Sequence, residues 1–161
     1  MDCCEHLNDI ERECAGGNKA NLKPYIELVC IDDVVAIPSS NQHVISDPIL
    51  LSSPLYNWKI AKIENSYLAE PQGDPDFTSY VTSVSFLIPK MSPLKTYILN
   101  GTANGEYLVF VIDGNGMKRV LGDDEEGATI KVTESTVDRN AYQVVITYTS
   151  SITPKYFTGE I

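Results

Sequence analysis

Residues 77–121 read FTSYVTSVSFLIPKMSPLKTYILNGTANGEYLVFVIDGNGMKRVL, and the fold turns on how this stretch divides into elements. Thr82, Val84, Phe86 and Ile88 fall two apart, the period of a strand with one buried face, and Pro89 stops the run. Ser92-Pro93 is a helix start: Ser92 suits the N-cap, and Pro93 suits the first helical position, where its missing N–H costs nothing. Leu94, Tyr97 and Ile98 stand at i, i+3 and i+4, which predicts an apolar stripe lying on a sheet, and Asn100-Gly101 ends the helix. A hairpin follows, residues 107–112 and 118–121, joined by Asp113-Gly114-Asn115-Gly116, whose glycines permit the positive φ of tight turns.

Working outward, residues 1–17 form a first unit. Asp2 and Glu5 resemble a capping box, Cys3, Leu7, Ile10 and Cys14 share one helical face, and Gly16-Gly17 terminates it. Such a helix is marginal in isolation and needs a partner surface, either its own domain or a neighbouring subunit. Residues 22–31 predict a strand with apolar residues on both faces of its second half, hence cover on two sides. Residues 38–57, with Pro38, Pro48, Pro54 and the apolar patch Ile49-Leu50-Leu51, predict a long excursion with one short strand, a segment suited to subunit contacts. Residues 58–64 predict a strand and residues 70–76 a loop. Residues 122–127 make an acidic turn, and residues 129–134 and 142–149 make two strands, with Tyr142, Val144, Ile146 and Tyr148 on one face of the last.

The result is an arm at residues 1–20, one domain at 21–150 and an extended tail at 151–161. About seven strands and one good helix predict a mainly β chain, an antiparallel β-sandwich or partly closed barrel with a flanking α-helix. A length of 161 residues with 43% hydrophobic and 21% charged residues suits one domain with a sizeable core.

Charge and motifs narrow the function. A net charge of −10 argues against a protein that grips nucleic acid, because affinity for phosphates comes mainly from Lys and Arg. It is compatible with one that nucleic acid slides past. No basic, apolar leader opens the chain and no run approaches the roughly 20 apolar residues of a membrane span, so the expectation is a protein made in a cytoplasm, without signal peptide or membrane partner. All four cysteines, Cys3, Cys4, Cys14 and Cys30, fall in the first 30 residues, which is not the spread of a disulfide framework and favours reduced thiols. Cys3, Cys4, His6 and Cys14 fit no common zinc spacing, and Asp113-Gly-Asn-Gly with the acidic turn fits no calcium loop, so neither metal nor cofactor is expected. His6 and His43 are the two neutral-pH proton carriers and neither sits in a catalytic motif, which predicts a non-enzymatic protein. Tyr25, Tyr56, Tyr67, Tyr80, Tyr156 and Phe157 occupy positions that read as exposed, and tyrosine is enriched at protein interfaces.

The succession Ile88-Pro89, short helix, Asn104-Gly105, Leu108-Val109-Phe110-Val111, Asp113-x-Asn115-Gly116, Arg119-Val120-Leu121-Gly122, acidic turn, Ala128-Thr129-Ile130, Tyr142 and Tyr156-Phe157 resembles small virion proteins of tailed bacteriophages. The likeness is greatest to those of phages infecting gut Bacteroides, including the crAss-like group, and covers residues 20–161. It implies a tail-tube-like fold and a structural subunit of the tail, tail tube or neck. Such a subunit assembles into a homo-oligomeric ring, meets other tail or neck proteins, and lets DNA pass without specific binding. The resemblance carries no catalytic residues and does not extend to the N-terminal arm. The candidate positions are Asp123, Asp124, Glu125 and Glu126 for a lumen or solvent face, and Leu7, Ile10, Ile49, Leu50, Leu51, Tyr156 and Phe157 for subunit contacts. The alternative is a β-sandwich binding module, fibre-associated or host-glycan-binding.

Overall fold

A computed structural model describes residues 22–38, 43–46, 48–62, 64–123, 125–137 and 140–159. The arm carrying Leu7, Ile10, Cys3, Cys4, His6 and Cys14 lies outside the described residues, as does Asp124. The chain is mainly β. In order, its elements are β1 (Leu22–Cys30), β2 (Val34–Ala36), β3 (Val44–Ile45), β4 (Leu50–Leu51), β5 (Tyr56–Lys59), β6 (Ser66–Gln72), β7 (Ser79–Pro89), α1 (Pro93–Gly101), β8 (Tyr107–Asp113), β9 (Lys118–Leu121), β10 (Thr129–Ser135), β11 (Ala141–Ser150) and β12 (Lys155–Phe157). A six-stranded sheet runs β3-β12-β9-β8-β1-β5, a four-stranded sheet runs β10-β11-β7-β6, and β2 pairs with β4. None of these sheets is closed among the described residues. Among the described residues all strand pairings are antiparallel except β12 with β3.

The alternation in β7 is realised: Thr82, Val84, Phe86 and Ile88 are buried. In the ladder they stand opposite Tyr148, Ile146, Val144 and Tyr142 of β11, so four cross-strand pairs put their side chains on one face. That face shares an apolar cluster with Ile26 and Leu28 of β1, Val109 and Val111 of β8, and Leu121 of β9, and so the two large sheets contribute to one core. Each of these side chains contributes about 1.5–3 kcal/mol by leaving water.

β8 is buried on both sides. Val109 and Val111 enter the first core, while Leu108 and Phe110 point into a second with Val29, Ile45, Ile49, Val120 and Phe157. The expected two-sided cover of β1 is found, with Leu28 and Val29 in different cores. The cover is supplied by the excursion and the residues just before it: Val34, Ile37, Leu51 and Leu55 pack against the second core, and Ser52 N–H donates to Asp33 O at 2.8 Å. Phe157 meets the Phe110 ring edge-on, with centroids 5.5 Å apart. The residues read as an extended tail thus carry β12, an inner strand of the six-stranded sheet.

Three local readings change. The excursion holds β3 and β4 where one short strand is expected, and the strand expected over 58–64 is β5, ending at Lys59. β6 occupies part of the expected loop because it is the edge of its sheet, where Pro71 withholds no needed ladder bond. Asn65, buried just before β6, accepts from Leu22 N–H at 2.8 Å and donates to Ala61 O at 2.9 Å, which fixes where the chain enters β1.

α1 forms as its sequence predicts. Ser92 Oγ accepts from Lys95 N–H at 3.3 Å, and Pro93 opens the first turn. The corner before it is tight: Lys90 takes φ 63°, a left-handed conformation held because its N–H donates to Asn140 O and its carbonyl accepts from Lys95 Nζ. Tyr142, buried in the first core, bonds through its hydroxyl to Thr96 Oγ at 2.6 Å and donates to Ser92 O at 3.1 Å. Replacing Tyr142→Phe keeps the ring and removes this tie. The expected cost is about 1–3 kcal/mol, because partly buried polar groups lose their partner. Amide exchange should quicken across α1 more than in β7 and β11; an equal change in all three would mean that the hydroxyl does not hold the helix.

Candidate functional site

The stripe expected to lie on a sheet faces the other way. Leu94, Tyr97 and Ile98 are 69%, 79% and 45% exposed, and Leu99 is the buried residue of α1. The correction has a physical cause in the polar side of the helix. Lys95 Nζ donates to Pro89 O at 2.9 Å and Lys90 O at 3.0 Å, and Thr96 Oγ stands within reach of both the Tyr142 hydroxyl at 2.6 Å and Glu134 at 3.3 Å, its one proton serving either. These bonds fix the rotation of α1, and Leu99 alone is turned into the first core. The apolar stripe is left outside as a contiguous patch.

Two depressions adjoin the patch. One, of about 380 Å³, lies between α1 and the edge strand β5 and is lined by Asn57, Trp58, Lys59, Ile88, Lys95 and Ile98, among others. The other lies at the C-terminal end of α1, between Tyr97, Ile98, Gly101 and Tyr107. Trp58 is half-buried against the first core, and Tyr56 on the same strand is exposed. α1 and β5 together thus present aromatic and aliphatic groups with a basic rim.

The acidic turn is a separate feature. Asp123 Oδ1 accepts from the Glu125 and Glu126 N–H groups at 2.8 and 2.6 Å, and Asp123 N–H donates to Glu126 O at 2.8 Å. Gly122, at φ +115°, admits the chain to the turn. A Cβ at Gly127 would stand 2.8 Å from Tyr107 N, where Tyr107 and Ala128 exchange backbone bonds. One acid is therefore part of the turn's frame, while Glu125 and Glu126 are exposed.

The other sequence-selected residues divide. Ile49, Leu51 and Phe157 come together in the chain's own second core, whereas Leu50 points outward, 56% exposed. Tyr156 is half-buried because Arg119 lies on its ring, 4.1 Å from the centroid, and also 4.9 Å from that of Tyr67. The Arg119 guanidinium donates to the hydroxyls of Tyr67 and Tyr156 and to Pro154 O. It thereby joins β9 and β12 of one sheet to β6 of the other. Sequence reading misses both Arg119 and the outward patch; the signal available for the patch is an amphipathic helix whose polar side, Lys95 and Thr96, can bond to carbonyls and hydroxyls.

Burial raises the pKa of the Tyr67 phenol, with the Arg119 charge acting against the rise. Burial also raises those of Tyr107 and Tyr148. Among the described residues no cluster of His, Cys, Asp or Glu is assembled to hold a metal ion. None of their helices is long and apolar enough to cross a membrane. Comparison of the chain with protein-family models, curated proteins and solved structures finds no match.

The pH response follows from the phenols. An acid whose folded pKa is raised contributes stability in full below its unfolded value, about 10, and loses it as pH rises through the folded value. Thermal melting should change little from about pH 7 to 9 and then fall. Tyr67→Phe should make the alkaline fall shallower; a steeper fall would overturn the burial argument. Arg119→Lys, which loses the planar stacking and forked donation, should cost about 1–2 kcal/mol in denaturant unfolding.

Proposed function

We propose that this chain is a non-enzymatic virion structural protein of a tailed bacteriophage, a self-assembling, ring-forming subunit of the tail, tail tube or neck. In the virion its partners are further copies of itself and other tail or neck proteins, and DNA passes without specific binding. The finer fold belongs to the same reading: an antiparallel β-sandwich, its two open sheets sharing the first core, flanked by one helix. The phage assignment rests on the resemblance in residues 20–161. Self-assembly rests on one observation above others, the outward apolar face of α1. Large exposed apolar patches are a common sign of interaction sites, and Leu94, Tyr97 and Ile98 stand together on a helix whose rotation is fixed by bonds to its own sheet.

A conduit favours negative or neutral groups facing its lumen, where repulsion keeps phosphates mobile over a screening length of about 8–10 Å. Glu125 and Glu126, exposed on a turn with a bonded frame, suit that role. The binding-module reading has its own support in the groove beside α1, where Trp58 stands with Asn57, Lys59 and Lys95, an aromatic surface with polar groups of the kind a glycan uses.

Sedimentation over a range of concentrations, followed by negative-stain imaging, separates the two. Rings or tubes with a central hole are expected. Tyr97→Asp with Ile98→Asp should weaken association at least tenfold while leaving thermal melting nearly unchanged, as exposed positions allow. A stable monomer at every concentration that binds glycans would replace the ring reading with the binding module. In assembled particles, Glu125→Lys with Glu126→Lys should slow DNA ejection without preventing assembly, and unchanged ejection would remove these acids from the lumen.

A further inference from the structure

We propose that the groove between α1 and β5 holds residues 1–14 of a neighbouring copy, so that each subunit donates its first segment and receives one. The choice of a neighbouring copy rests on the self-assembly reading; the choice of segment does not. The chain brings to the groove what the groove lacks. Cys3, Leu7, Ile10 and Cys14 recur at helical spacing, a stripe that needs an apolar partner surface to hold its shape. The groove offers Trp58, Ile88 and Ile98 beside the exposed Leu94 and Tyr97.

Charge agrees with the fit. Asp2, Glu5, Asp9, Glu11 and Glu13 outnumber Arg12 in the segment, and Lys59 and Lys95 stand on the groove in a chain whose net charge is −10. Reach agrees too. The chain enters β1 at Leu22, pinned to Asn65, which in turn bonds Ala61, the residue after Ile60 on the groove wall. Residues 15–21, with Gly16-Gly17 among them, can span about 25 Å at most, which puts within reach both the chain's own groove and that of a subunit packed alongside, and the self-assembly reading selects the second. Groove and segment are unlike surfaces on one chain, as a heterologous contact that closes into a ring requires.

The test is disulfide capture in the full chain. Asn57→Cys places a thiol on the groove wall, Cys30→Ser removes the one described native thiol, and Cys3, Cys4 and Cys14 supply the partners. Under mild oxidation with diamide, a ladder of covalent dimers and higher multiples is expected on a non-reducing gel. Peptide mapping should join the thiol introduced at position 57 to residues 1–14, and the ladder should vanish when Cys3, Cys4 and Cys14 are changed to Ser. A link confined to single chains would overturn the exchange between copies. Rings that form normally with no link to position 57 would overturn the docking and leave the self-assembly reading standing, whereas a wild-type chain that never associates would remove that reading itself. As a second measurement, Leu7→Asp with Ile10→Asp should weaken association at least tenfold with the melting transition retained; unchanged association would also overturn the proposal.

Discussion

Tyr142 belongs to the sheet by its ring and to the helix by its hydroxyl, and the rest of the surface follows from that double membership. The ring lies in the first core opposite Ile88, so its position is set by the longest ladder among the described residues. The hydroxyl then meets Thr96 and the Ser92 carbonyl. A hydroxyl carried into a core must find a partner or lose about 1–3 kcal/mol, and here the partner is the first turn of α1. Lys95 closes the same turn onto two carbonyls of the preceding corner. With three polar attachments on one side, α1 cannot roll to bury Leu94, Tyr97 and Ile98 without breaking them. The outward patch is a consequence of how the helix is fastened.

A second constraint shapes the opposite side of the molecule. Leu108, Val109, Phe110 and Val111 are four consecutive buried residues, and a strand can bury consecutive residues only if both faces are covered. The four-stranded sheet covers one face. The other is covered by the proline-rich excursion and by Phe157, which explains why that excursion needs little regular structure of its own: Ile45 and Ile49 hold it down from within. Arg119 performs a corresponding task between the sheets, where its guanidinium lies near the rings of both Tyr67 and Tyr156 and bonds to their hydroxyls.

Legibility in the sequence follows the range of the interactions. The β7 alternation, the Ser92-Pro93 start and the Asp113 to Gly116 turn are decided by residues within a few positions of one another, and they fold as read. The rotation of α1 is decided by Tyr142 and Glu134, some 46 and 38 residues from Thr96, and periodicity alone points the stripe inward. β6 is hidden for a different reason, since Pro71 reads as a breaker until its strand is known to be an edge. Phe157 and Tyr156 read alike as an exposed aromatic pair, yet alternation sends one into a core and the other onto Arg119. A strand of three residues is too short for its pattern to announce which is which.

The two surface features differ in what they ask of an assembly. The α1 patch loses water-exposed apolar area only when something covers it, and any partner that did so would gain in proportion to the area buried. The acidic turn behaves oppositely, because Glu125 and Glu126 gain nothing from burial and are best left in solvent or facing a charge they repel. A packing that covers α1 and β5 while leaving the turn open satisfies both, and Tyr107 marks where the two regions meet: its backbone pairs with Ala128 at the foot of the turn, and its side chain lines the depression at the end of α1. Were copies to pack through the helix, as proposed, the turn would be carried along at a fixed offset. In the proposed ring the same offset would repeat in every subunit, and a pair of carboxylates on one chain would become a circle of charge.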